Sequence, residues 1–147
     1  MAPYAVVREC GLGAGEAWRR MTAWERHTAT VPLTRITVTT PPPSGVGTEF
    51  VARTGVGRLG FDDPMRVTVW QPPIAGDGRG RCRLEKTGRV VTGWAEIDVA
   101  PYGDGSRVRW CEELRVRWVP RALDGLTARV GRLVFGRVVD TLLAGER

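Results

Sequence analysis

The stretch RCRLEKTGRVVTGWAEIDVAPYGDGSRVRWCEELRVRW, residues 81–118, decides the fold. In it Cys82 and Leu84 alternate with Arg81, Arg83 and Glu85. After a turn at Thr87–Arg89, Val91, Gly93, Ala95, Ile97 and Val99 alternate with Thr92, Trp94, Glu96 and Asp98. Beyond PYGDGS at 101–106, Val108, Trp110, Glu112, Leu114, Val116 and Trp118 alternate with Arg107, Arg109, Cys111, Glu113, Arg115 and Arg117. A period of two marks strands with one buried face. An even loop at Gly103–Asp104 sets Ile97 opposite Trp110 and Asp98 opposite Arg109, and the Gly88 turn sets Leu84 opposite Val91. Apolar side chains then meet apolar ones, while carboxylates meet guanidinium groups on the outer face. The reading is a meander of three antiparallel strands.

Working outward, Tyr4–Cys10 reads as a first strand ended by GLGAG. AGEAWRRMT at 14–22 and WERHTAT at 24–30 read as two short helices, closed by Pro32. ITVTT at 36–40 is β-branched and strand-like, PPPSGVG at 41–47 is a turn, and strands follow at 48–54 and about 65–70. After Pro120, the positions Leu123, Leu126, Val130, Leu133, Val134, Val138 and Leu142 recur at steps of three and four, which predicts a long C-terminal helix over 121–144. Phe135, Val139 and Leu143 widen its apolar arc. Gly131 and Gly136 each cost ~1 kcal/mol of helix propensity, so they mark close approach or room beside the helix.

The chain of 147 residues fits a single domain, 1–147, with one core. Its 19 Gly and 10 Pro favour many short elements over a helical bundle. The net charge is +6, yet 21 of the 22 basic residues are Arg. That skew fits a high-GC bacterial genome, so it is discounted as a nucleic-acid signature. Arg79, Arg81, Arg83, Lys86 and Arg89 read as one solvated strand face. Cys10, Cys82 and Cys111 suggest neither disulfides nor a zinc clip. Without a secretion signal or an apolar run of ~18 residues, the expectation is a cytoplasmic chain with no membrane insertion.

Catalytic motifs are sparse. Gly55-Val56-Gly57-Arg58-Leu59-Gly60 matches GxGxxG, but Pro64 follows where a helix must open, so it reads as a turn between strands. His27 is the only histidine and reads as a partly exposed loop residue; Asp62–Asp63 reads as a turn before Pro64. No metal or other cofactor is expected. Glu112 stands out, because its phase points inward between Trp110 and Leu114. A buried carboxylate needs a partner, a raised pKa or a wet cavity. It is either held by an internal Arg or near a wet sheet end, or it anchors a ligand. Trp94, on the outer phase, is placed to lie under a neighbouring Arg.

The order of strand, two short helices, six strands and long terminal helix resembles the SRPBCC superfamily of START, Bet v 1 and polyketide-cyclase-like proteins. The likeness rests on AGEAWRRMTAWERH, PPPSGVGTEFVARTG, FDDPMRVTVWQPP, GWAEIDVAPYGDGSRVRWCEEL and the terminal amphipathic helix. It implies an α+β helix-grip fold, in which a curved seven-stranded antiparallel sheet wraps around the long helix and leaves a cavity. The expected occupant is a small apolar or aromatic molecule bound by Phe50, Met65, Leu84, Ile97, Trp110, Glu112 and Leu114 facing Leu126, Val130 and Val134. That reading requires a void above ~300 Å³. The alternative is an enzyme of the polyketide cyclase/dehydratase kind, with Glu112 as acid or base and an Arg steadying an enolate; it requires a second polar group beside Glu112. A further alternative is a regulatory or toxin-like interaction module using Arg81 and Arg83. Either a monomer or a homodimer is compatible with the sequence.

Overall fold

The computed structural model describes residues 3–29, 33–56, 58–73 and 78–144. Strand β1 (Tyr4–Cys10) leads into α1 (Ala14–Met21) and a 3-10 turn (Trp24–Ala29). Six strands follow: β2 (Thr34–Val38), β3 (Glu49–Val56), β4 (Leu59–Gln71), β5 (Gly80–Thr87), β6 (Val91–Tyr102) and β7 (Gly105–Val116). A 3-10 turn (Arg121–Leu123) then opens α2 (Asp124–Ala144). The strands form one antiparallel sheet in the order β1-β7-β6-β5-β4-β3-β2. Pro32 and Gly57 lie outside the described residues.

The alternation read from the sequence is the alternation of burial. Cys82, Leu84, Ala95, Ile97, Val99, Val108 and Trp110 are buried on the inner face. Ile97 pairs with Trp110 and Asp98 with Arg109, as their phases require. On the outer face Arg81 and Arg83 both reach Glu96, at 2.9 and 2.5 Å, and the Arg83 guanidinium lies 4.7 Å from the Trp94 ring centroid. Leu84, however, pairs with Ala95 and not with Val91. The β5–β6 turn falls later than expected, with Thr87 opposite Thr92, a shift of four residues that keeps every side chain on its face. Gly93 has φ +126°, and a Cβ there would sit 1.9 Å from the Glu113 carbonyl oxygen, so the strands close together only over glycine.

Three expectations need correction. Strand β4 begins at Leu59, well before Met65, so Asp62 and Asp63 lie within a strand. Pro64 is tolerated there because β5 pairs with β4 only from Met65 onward. Trp118 lies beyond the end of β7 and is 71% exposed. Finally, α2 does not turn its Leu126–Val130 stripe to the sheet: Leu126 is 56% exposed and Val130 50%. Its buried face carries Ala128, Gly131, Gly136, Val138, Val139, Leu142 and Leu143. Small residues hold the first part of that face, at Ala128, Gly131 and Gly136, because β1 crosses close beneath the helix there. A Cβ on Gly131 would sit 2.7 Å from the Tyr4 ring. At the far end, Arg20 of α1 donates to the Leu143 carbonyl at 2.8 Å, placing a cation where the helix leaves its carbonyls unpaired.

Candidate functional site

The inner face of the sheet carries charge at one end. Asp63 shares its phase with Met65 and Val67 on β4, and Lys86 shares its phase with Cys82 and Leu84 on β5. Glu112 on β7 stands opposite Ala95 on β6, which in turn stands opposite Leu84. The Lys86 ammonium lies 2.7 Å from Asp63 Oδ2 and 3.3 Å from Glu112 Oε2; the Lys86 and Glu112 side chains are 5% and 2% exposed. Glu112 Oε1 also accepts from the Tyr4 hydroxyl and, at 3.2 Å, from Trp110 Nε1. Of the readings open for Glu112, the internal ion pair is present, and its partner is a lysine and not an arginine. Lys86 was legible: continuing the Cys82, Leu84 alternation by one step points it inward, away from the outer arginines.

The charges follow from this packing. Burial alone favours neutral Lys86, but the adjacent Glu112 and Asp63 carboxylates outweigh it and hold the ammonium above its ordinary pKa. Burial pushes the Asp63 carboxyl up, against the pull of Lys86 and with a push from the Glu112 charge. Burial and Glu112 push the Tyr4 phenol up, so it remains a donor.

These groups bound a cavity of about 100 Å³ beneath α2 and the Trp24–Ala29 turn. Its polar wall is Asp63, Lys86, Glu112, His27, Thr34 and Thr54; Trp24, Ile36, Phe50, Met65, Leu84, Trp110 and Phe135 supply much of the apolar wall. Trp24 stacks on Phe50 at 4.9 Å between centroids and Trp110 on Phe135 at 5.1 Å, with His27 6.1 Å from Trp24 and 5.9 Å from Trp110. His27 is thus buried, contrary to expectation, because rings from β7 and the 3-10 turn close around it. Burial lowers its pKa, and the neutral ring sits with Nε2 3.2 Å from the Met21 carbonyl, which fixes Nε2 as the protonated nitrogen. Two polar atoms on residues that line this cavity are buried without a hydrogen-bond partner: Asp63 Oδ1, an acceptor when ionised, and Trp24 Nε1, a donor.

The residues expected to bind a ligand divide between two spaces. Phe50, Met65, Leu84, Trp110 and Glu112 line the inner cavity. Leu114, Leu126, Val130 and Val134 line an apolar surface groove of about 430 Å³ beside α2. Phe135 borders both. Ile97 borders neither and is core. The inner cavity is well below the ~300 Å³ that an enclosed drug-sized ligand requires. Among the described residues, no group of three His, Cys, Asp or Glu side chains is placed to hold a metal, and no helix is long and apolar enough to cross a membrane.

No protein-family model matches the sequence, and no curated sequence is similar enough to assign one. Solved structures do resemble it. A STAR-related lipid transfer protein from Xanthomonas axonopodis superimposes with a TM-score of 0.72 at 13% identity, over 97% of this chain and 84% of that one. A human lipid transfer and protein localization domain gives 0.73 at 10% identity, over 94% and 75%. Norcoclaurine synthase from Thalictrum flavum gives 0.60 at 14% identity, over 99% and 87%. At such identities the likeness establishes architecture alone: this chain has the helix-grip fold.

Proposed function

We propose that this protein binds a small molecule whose polar group enters the Asp63–Lys86–Glu112 end of the cavity. Its apolar or aromatic remainder lies against Trp24, Trp110 and Phe135. The observation that carries this reading is the pair of buried, unpartnered atoms, Asp63 Oδ1 and Trp24 Nε1, on two residues that line one void. Each costs ~1–3 kcal/mol while unsatisfied. A hydroxyl or a carboxamide both accepts and donates, so either group supplies the kinds of partner that the two atoms lack. A cavity of ~150 Å³ holds benzene, so about 100 Å³ admits only the head of such a ligand. The remainder must pass Phe135 toward the outer groove. The solved neighbours named for lipid transfer support a fold that accepts apolar ligands.

Native mass spectrometry of freshly purified protein tests this reading. A retained small molecule is expected, and Asp63→Asn and Trp24→Phe should each reduce its occupancy. An adduct held equally by both variants, or no adduct together with no thermal shift from phenol, overturns it.

One observation favours catalysis as a second reading. Glu112, Asp63, Lys86 and His27 converge in one cavity, as an acid–base site requires. The Lys86 ammonium, in place of the expected Arg, would stabilise an enolate oxygen, and Asp63 would carry the proton. A solved neighbour named as a synthase supports turnover on this fold. Exchange of the α-protons of a small ketone into deuterium oxide, followed by proton NMR, should be accelerated by the protein and lost in Asp63→Asn. Exchange at the buffer rate removes this reading.

A further inference from the structure

The positive charge of this protein is not spread evenly. On the sheet several arginines are engaged: Arg53 with Asp62, Arg66 with Glu49, Arg81 and Arg83 with Glu96, and Arg107 with Glu9. The exposed Arg35, Arg58, Arg89 and Arg109, by contrast, have no carboxylate within ion-pair distance among the described residues. Around α2 the exposed arginines are all of this second kind, and they are grouped beside apolar side chains. Arg117, Arg121, Arg129, Arg132 and Arg137 are exposed, and among the described residues none has a carboxylate within ion-pair distance. Between them lies an uncovered apolar stripe. Leu126, Val130 and Leu133 are 56, 50 and 67% exposed. They share one helix face with Arg137 at steps of four, three and four residues; Arg129 borders that face, and Arg132 lies farther round the helix on the same side. Leu123, 44% exposed, lines the same groove just before the helix start, and Trp118 is 71% exposed.

We infer that this face of α2 docks on an anionic lipid surface, with the Leu126–Leu133 stripe entering the boundary of the acyl chains and the arginines reaching lipid phosphates. An apolar face bordered by arginines is the charge and polarity pattern of a helix lying in a membrane interface. A second copy is a poor occupant, since two-fold pairing of the face brings the Arg129, Arg132 and Arg137 clusters against their own copies. Nucleic acid would satisfy the arginines and leave the leucines against a charged backbone. The stripe shares Leu126 and Val130 with the outer groove of the proposed ligand path, whereas Leu133 and the arginines line neither space.

Co-sedimentation with vesicles tests it, using phosphatidylcholine alone and phosphatidylcholine mixed with phosphatidylglycerol. Association with the mixed vesicles is expected, weakening as salt rises, with little on the neutral ones. Each unpaired arginine near the surface contributes roughly fivefold, so Arg129→Gln, Arg132→Gln and Arg137→Gln together should weaken partitioning about a hundredfold. Leu126→Ser with Leu133→Ser should weaken it at least about tenfold. All five positions are exposed, so circular dichroism should show the fold retained. Arg81→Gln with Arg83→Gln should leave partitioning nearly unchanged. Equal association with both vesicle types, no association with either, or a dimer that Leu133→Ser dissociates overturns the inference.

Discussion

Glu112 accepts from a phenol, an indole and an ammonium at once, and only the ammonium carries charge. Glu112→Gln leaves Lys86 with Asp63 alone and replaces a strong acceptor with an amide that must also place two donors. The expected cost is ~3 kcal/mol, measurable by urea denaturation, because removal of one charge from a buried pair strands the other. Asp63→Asn should behave oppositely. Burial raises the Asp63 carboxyl, so the folded state holds its proton more tightly than the unfolded chain does. Its contribution to stability is present in acid and is lost as pH rises through the raised value. The variant should therefore melt higher than the parent at about pH 7 and show a flatter melting profile between about pH 4 and pH 7. A steeper profile would assign the burden to another group. The gain in stability on removing Asp63 is what a residue kept for binding, at a cost to the fold, should show.

At the scale of elements, α2 shows why a broad apolar arc is ambiguous. Its sequence offers two candidate inner faces, and the choice is made by Tyr4 on β1, whose ring needs the space above Gly131. No periodicity within the helix contains that information. The strands were more legible, since alternation ties each residue to a face once one member is known to be buried. Lys86 and Asp63 obey that rule; they were obscured by a run of arginines and by Pro64. His27 was not legible, because its burial comes from rings distant in sequence. Gly131→Ala gains ~1 kcal/mol of helix propensity but forces overpacking worth ~1–3 kcal/mol, so a net loss of up to ~2 kcal/mol is expected. Gly125→Ala meets nothing within 4 Å and should raise the melting temperature instead. Thermal denaturation of the pair separates packing from propensity.

For the whole molecule, placement of charge matters more than its total. Arg129→Gln with Arg132→Gln and Arg81→Ala with Arg83→Ala each lower the formal charge from +6 to +4. On a cation-exchange column the first pair should elute distinctly earlier than the second, since Arg129 and Arg132 have no carboxylate within ion-pair distance among the described residues, whereas Arg81 and Arg83 share Glu96. Identical elution would mean that the molecule is read by its net charge alone. Phe135 has a different consequence at this scale. It borders both a polar chamber and an apolar groove. Rotation of one side chain would make them a single compartment within the ~300–1,000 Å³ range of ligand sites. Capacity is then set by a torsion angle and not by the fold. Phe135→Ala should hold this compartment permanently open, and the dye 1-anilinonaphthalene-8-sulfonate should bind and fluoresce in it while the parent stays dark. A protein built this way would be sized by its guest: compact around a fragment, and roomy only while something larger holds the ring aside.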